Sequence, residues 1–305
     1  MNRLLNNSIE IPCIGFGTDI ACWWHREKGI RKFITMAKEY GEAVKRGSFR
    51  KIKIDQSLKK NLINAPKCGC FLFDTSSAYG GSEFVVGQAL KIIGREKIFV
   101  TTKISNKDQI SHMRMESFYN SLRNLGTDYI DLYLMHWPVE GEYIETWKFM
   151  ERLYEQKKVR AIGVSNFNIH HLETLKKSAK YMPMVNQIEC HPLFTQVELR
   201  EYCKKNDIQI MAYTPTARMD QRMNNSEELE MICRKYNKSI AQVVLKWHIQ
   251  LENIPIVNTT SYKHCKENFG VFDFDLTEEE VDVINHMNIN SRLRYDPDNC
   301  NFKRL

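Results

Sequence analysis

Apolar and polar positions along this chain switch period repeatedly. Short apolar, β-branched runs at 71–73, 98–102, 130–135, 159–164, 184–188, 208–213 and 254–257 read as strands. Between them the spacing turns helical, at 83–93, 115–125, 143–156, 170–178, 197–205 and 226–236. Strand, crossover helix and parallel strand in this rhythm mean a βαβ series. With 13–16 as the first strand the count reaches eight, which favours a closed barrel over an open doubly wound sheet. The predicted fold is α/β, a single-domain (β/α)8 TIM barrel spanning 1–305.

One region breaks the rhythm. Residues 19–56 form a stretch longer than a barrel loop needs, with Trp23-Trp24 near its start and helical spacing at 30–43. We read it as a segment inserted after the first strand, on the side where barrel chemistry sits.

Length and composition agree with that picture. At 305 residues the chain fits the barrel range, and 43% hydrophobic with 27% charged residues is ordinary for a globular protein. No apolar run approaches the roughly 20 residues of a membrane span. The start, Met1-Asn-Arg-Leu-Leu-Asn-Asn, lacks a secretory stretch, so a cytoplasmic location is expected. Nine cysteines, scattered singly apart from Cys68-Gly-Cys70, suit reduced thiols better than a disulfide framework. None of the spacings is that of a structural zinc site, and no metal is expected.

The formal charge of +7 is concentrated rather than general. Residues 26–60 carry twelve Lys/Arg and four Asp/Glu, so the remainder sums to −1. Such a segment is most often a solvated face. If it binds anything, a phosphorylated or carboxylated substrate is the more economical partner than nucleic acid, because the loop would overhang the active site. Aromatics do not interleave with arginines as a single-strand binder would require. The sequence leaves monomer or dimer open.

A barrel carries its chemistry at the carboxyl ends of its strands. Asp74, Lys103, His136, Ser165-Asn166, Gln187 and Tyr213 each fall at or just beyond a predicted strand end. Carbonyl reduction needs a hydride delivered to carbon and a proton delivered to the developing alkoxide. A free phenol, with a pKa of about 10, holds its proton too tightly for that task. A neighbouring ammonium favours the phenolate, and a carboxylate keeps the ammonium charged and aimed. Tyr79, Lys103 and Asp74 supply those three groups, with His136 on the next strand. Taken singly, Asp74 would read as a cap or turn residue, Lys103 as a solvated lysine and His136 as a core histidine. Together they read as a site.

Several long motifs carry a family resemblance. They are Phe73-Asp-Thr-Ser-Ser-Ala-Tyr-Gly-Gly-Ser-Glu-Phe-Val-Val-Gly87, Thr101-Thr-Lys103, Leu125-Gly-Thr-Asp-Tyr-Ile-Asp-Leu-Tyr-Leu-Met-His-Trp-Pro138, Ile162-Gly-Val-Ser-Asn-Phe167 and Asn186-Gln-Ile-Glu-Cys-His-Pro192. In this order they resemble the aldo-keto reductase family. The resemblance implies a tetrad of Asp74, Tyr79, Lys103 and His136, with Tyr79 as general acid and His136 orienting the carbonyl oxygen. It implies that NADPH or NADH is the cofactor. Ser165, Asn166 and Gln187 would hold the nicotinamide carboxamide, Tyr213 would stack on its ring with Thr214 beside it, and Thr259, Glu267 and Asn268 would take the adenosine end. Trp137 would line the substrate pocket.

Two departures matter. The family's lysine and arginine for the 2′-phosphate of NADPH fall here on Asn258 and His264, which weakens the case for that phosphate and makes NADH use plausible. The tryptophan that often follows Gly-Thr is Asp19, and Trp23 or Trp24 would have to replace it in the pocket wall. The leading expectation is therefore an NAD(P)H-dependent enzyme reducing an aldehyde or ketone to an alcohol. The alternative is a nucleotide-sensing binding protein of the same fold, acting through a partner bound by the insertion. His170-His171 reads as the surface start of a helix, and His191 as a packing residue.

Overall fold

The computed structural model describes residues 1–19, 52–259 and 261–302. An antiparallel hairpin, β1 (Asn2–Leu4) and β2 (Glu10–Pro12), comes first. Its Ile11 is fully buried, and Arg3, Asn6 and Asn7 donate to the carbonyls of Ile249, Asp207 and Arg160, near the amino ends of barrel strands. The hairpin thus plugs the end of the barrel away from the chemistry.

Eight parallel strands close the barrel: β3 (Gly15–Gly17), β4 (Leu72–Asp74), β5 (Phe99–Ile104), β6 (Ile130–Met135), β7 (Val159–Ser165), β8 (Val185–Glu189), β9 (Gln209–Tyr213) and β10 (Ile254–Val257). Each pairs with its sequence neighbour, and β10 returns to β3 through Ile256↔Gly15 and Val257↔Phe16. Every residue of β5 and β6 is buried, which is why these strands read as continuous apolar runs rather than alternations. The first strand begins two residues later than the sequence pattern suggests, and the others agree within a residue or two, as strand ends usually do.

Helices cover the barrel in chain order: α1 (Ile52–Asn64), α2 (Ser82–Ile93), α3 (Asn106–Ile110), α4 (Arg114–Leu125), α5 (Tyr143–Glu155), α6 (Ile169–Lys176), α7 (Val197–Lys205), α8 (Gln221–Asn224), α9 (Glu227–Tyr236), α10 (Ile240–Gln250), α11 (Tyr262–Phe269) and α12 (Glu278–His286). Reciprocal caps start α10 and α12. At α12, Thr277 N–H donates to Glu280 Oε2 at 2.8 Å while Glu280 N–H donates to Thr277 Oγ1 at 3.3 Å, satisfying two donors that the helix itself leaves unpaired. Close packing of α2 on α4 requires Gly87, since a Cβ there would lie 2.8 Å from the Leu125 carbonyl oxygen and nearer still to that of Asn124.

Most of the expected insertion, residues 20–51 with Trp23 and Trp24, lies outside the described residues. Its last five residues, 52–56, open α1. Among the described residues, no helix is long and apolar enough to cross a membrane.

Candidate active site

The strand register brings polar side chains to one rim. β4 ends at Asp74, β7 at Ser165 and β9 at Tyr213, while Lys103 is the penultimate residue of β5. Parallel pairing aligns Gly17 with Asp74, Ser165 with Gln187 and Glu189 with Tyr213. All these termini point the same way, so side chains distant in sequence share one mouth.

At its centre is an ion pair removed from water. Lys103 has no exposed surface, and its Nζ donates to Asp74 Oδ1 at 2.9 Å, to Asp74 Oδ2 at 2.7 Å and to the Thr75 carbonyl at 2.9 Å. Burial pulls the lysine below its ordinary value, and the Asp74 carboxylate opposes that shift. Asp74 also accepts from Gln187 Nε2 at 2.8 Å, so the strand across the barrel helps fix it. Three acceptors saturating one ammonium are what makes a buried cation tolerable.

Tyr79 reaches this pair from the β4–α2 loop. That loop is tied to β5 by Thr75 N–H to Thr101 O and by Ser77 Oγ to Lys103 O. It turns at Gly80 and Gly81, with φ of 58° and 98°, conformations that a side chain would disfavour. The Lys103 Nζ lies 4.9 Å from the Tyr79 ring centroid. His136 meets the same ring edge to face, with centroids 5.6 Å apart and planes at 77°. Its imidazole is pushed down to about 3 by burial first, then by the charges of Lys103 and Arg294. It is therefore neutral near pH 7 and offers one ring N–H.

The neighbouring rim is a linked set of amide and hydroxyl groups. Asn166 donates from Nδ2 to the His136 carbonyl at 3.0 Å and to Ser165 Oγ at 3.1 Å. Ser165 Oγ donates to the Gln187 carbonyl at 2.9 Å, and the Tyr213 hydroxyl donates to Asn166 Oδ1 at 2.6 Å. Asn166 sits at φ 65°, a conformation asparagine tolerates better than most residues. Beyond Tyr213 the backbone is strained: Thr214, Ala217, Arg218 and Met219 have φ of 52°, 47°, 54° and 57°. Non-glycine residues in that region cost about 1–3 kcal/mol each and collect where a backbone must hold an unusual shape.

The other sequence candidates are more scattered. Trp137 is buried behind His136 and packs toward Phe302, with centroids 6.5 Å apart. Asn258 donates to the Asp19 carbonyl at 3.3 Å, and Thr259 Oγ1 accepts from Ser261 N–H at 3.2 Å. His264 is exposed on α11, with Glu267 and Asn268 half-buried one turn on.

Three residues at this mouth were missed. Glu83, almost fully buried on α2, accepts from Thr102 Oγ1 at 2.7 Å and so braces β5 beside Lys103. Glu189, also buried, accepts the backbone N–H groups of Leu293 and Arg294 and faces His191 Nε2 at 3.1 Å. Arg294 in turn pairs with Asp19 at 3.0 Å. Glu189 and Glu83 lie inside the quoted motifs, so their motif positions were the available signal. Nothing in the sequence pairs Arg294 with Asp19.

His170 and His171 gather with Asp298 close enough to suggest a metal site. Yet His171 Nδ1 accepts the Asn168 N–H at 3.1 Å, which leaves the ring proton on Nε2 facing the carboxylate. That tautomer suits a helix cap rather than a metal ligand. His171 is thus half-buried structure, while His170 is exposed as expected.

A closed parallel barrel with a phenol, a buried ammonium–carboxylate pair and a neutral imidazole at its carboxyl mouth belongs with the (β/α)8 enzymes. Comparison narrows the class. The sequence profile described as the aldo/keto reductase family matches residues 47–289. The chain is 47% identical over 229 residues to a 9,11-endoperoxide prostaglandin H2 reductase of Trypanosoma cruzi, covering 74% of this chain and 81% of that one. An aldo-keto reductase crystal structure from a Medee basin deep-sea metagenome library aligns with a TM-score of 0.84 at 37% identity, covering 99% of this chain and 100% of the other. A Bombyx mori aldo-keto reductase in complex with NADP aligns with a TM-score of 0.81 at 29% identity, covering 98% and 96%. The chain belongs to the aldo/keto reductase family, and it is an oxidoreductase acting on carbonyl groups.

Proposed function

We propose that this protein reduces an aldehyde or ketone to an alcohol with NADPH or NADH, and that Tyr79 is the general acid. The observation that carries the reading is the convergence on the Tyr79 ring of a buried ammonium 4.9 Å from its centroid and an edge-on imidazole at 5.6 Å. An ammonium beside a phenol favours the phenolate, so the hydroxyl gives up its proton to a developing alkoxide more readily. Asp74 keeps Lys103 charged and aimed, and Gln187 keeps Asp74 in place. The neutral His136 donates its ring N–H to the carbonyl oxygen, orienting the substrate without competing as an acid.

The rim beside the tetrad suits a nicotinamide. A carboxamide both donates and accepts, and Ser165, Asn166 and Gln187 bring amide and hydroxyl groups of both kinds to adjacent strand ends. Tyr213, joined to Asn166, presents an aromatic ring there, with Thr214 opening the strained segment. When bound, the nicotinamide supplies hydride to the carbonyl carbon. The Bombyx mori relative in complex with NADP supports this class of cofactor. At the adenosine end Asn258 and His264 give no fixed pair of cations, so NADH serves as well as NADPH, with Thr259, Glu267 and Asn268 at the same end.

The test is loss of reduced-cofactor absorbance with each nucleotide across a panel of aldehydes and ketones. Turnover with at least one pair is expected, and none across the panel contradicts the reading. The nucleotide-sensing alternative depends on the insertion, whose residues 20–51 lie outside the described residues, and no observation favours it.

A further inference from the structure

We propose that Arg294 is a specificity-determining residue that binds the carboxylate of an anionic carbonyl substrate, a keto or aldehydo acid, in place of Asp19. The proposal rests on the reductase reading above and names the substrate class for the same site.

Position comes first. Arg294 lies in the tail after α12, where Leu293 and Arg294 donate their backbone N–H groups to the two oxygens of Glu189, at 2.6 and 3.1 Å. Glu189 is buried and ends β8, two residues beyond Gln187. A buried carboxylate in the barrel wall therefore pins the tail at this point. The Arg294 side chain then donates to Asp19 Oδ2 at 3.0 Å. Asp19 directly follows Thr18, which donates both its N–H and its hydroxyl to the Asp74 carbonyl, at 2.9 and 3.0 Å. The ion pair consequently joins the carboxyl ends of β3 and β8, on the rim that carries Asp74 and Gln187.

Electrostatics agree with the geometry. The Arg294 charge contributes to holding His136 low, it lowers Tyr213 against the upward push of burial, and Asp19 supports the charge on Lys103. The guanidinium is thus felt at both side chains assigned to the carbonyl oxygen and the nicotinamide. A second guanidinium on the same tail, Arg292, sits over the Phe194 ring and adds to the field at Tyr213. Positive potential at a cleft draws anionic ligands toward it.

Chemistry selects the ligand. Asp19 and Arg294 side chains are 24% and 29% exposed, so water and substrate reach the pair. A part-exposed pair gains little from its own attraction, and a substrate carboxylate matches the planar fork as well as Asp19 does. Where the family resemblance places a tryptophan, this chain therefore carries a carboxylate that occupies an anion site of its own.

The test compares 4-carboxybenzaldehyde with its methyl ester, reading the acid-to-ester ratio of kcat/KM in wild type, Arg294→Met and Asp19→Asn. Wild type favours the acid. Arg294→Met lowers the ratio by about 10- to 100-fold, as expected for loss of a hydrogen-bonded charge contact. Asp19→Asn raises it, because the competing carboxylate is gone; opposite signs from two substitutions cannot come from misfolding. Turnover of both aldehydes with a ratio that neither substitution moves overturns this proposal alone. No turnover of either aldehyde with either nucleotide overturns the reductase reading and this proposal with it.

Discussion

Lys103 donates to both oxygens of Asp74, at 2.9 and 2.7 Å, inside a barrel mouth where the lysine has no contact with solvent. Such a pair is worth little as a sum, because desolvation offsets attraction, but removing one partner strands a charge. Asp74→Asn should cost about 3–5 kcal/mol of unfolding free energy for that reason. Adding Lys103→Met to it should recover most of the loss. Urea unfolding of the single and double variants measures both, and a single variant within about 1 kcal/mol of wild type would mean that the pair is not desolvated as described.

Gly87 makes a second stability prediction. The clash built by a Cβ there is with the backbone of the α4 end, which cannot swing aside as a side chain would. Gly87→Ala should destabilise by about 1–3 kcal/mol, the usual cost of overpacking, although alanine is the better helix former. A calorimetric melting midpoint equal to or above wild type would refute the close approach of α2 to α4.

The buried histidines set an acid limit. His248, with no exposed surface, faces the Pro215 carbonyl at 3.1 Å and is pushed down to about 3 by burial; His136 is held at about 3 and His171 at about 4. In the unfolded chain each titrates near the ordinary 6.5. Between 6.5 and those values the unfolded state binds more protons, so stability is lost as pH falls through that window and is fully present above it. The His248 ring resonance should show no titration in NMR from pH 8 down to about 5. A midpoint near 6.5 would place the ring in water.

Cofactor choice is expected to be reversible by charge. Asn258→Lys with His264→Arg adds two cations where the resemblance puts the 2′-phosphate contacts. Its preference for NADPH over NADH, measured as a ratio of kcat/KM, should rise by about tenfold or more. An unmoved ratio would show that those positions do not face the adenosine ribose.

The strands were legible because a parallel barrel buries both faces of each one, leaving uninterrupted apolar runs with polar residues at their ends. The hairpin at 2–4 and 10–12 was not, since its three-residue strands are mostly exposed or half-buried and leave no apolar run to mark them. Helix α10 was also passed over: Val243 to Ile249 are all buried, so the stripe that marks a surface helix is absent. At the site, strand ends pointed to Asp74, Lys103 and His136, and the family motifs named their roles along with that of Tyr79. The Arg294–Asp19 pair joins residues 275 apart through a tail and a loop, and nothing local in either segment announces the other.

The most direct test is a single turnover of Tyr79→Phe in a stopped-flow instrument, following reduced-cofactor absorbance after mixing with an aldehyde that wild type reduces. Hydride transfer should slow by about 10²–10⁴-fold while cofactor binding, read from quenching of protein fluorescence, stays near wild type. A transfer rate within a few-fold of wild type would contradict the assignment of Tyr79 as the proton donor.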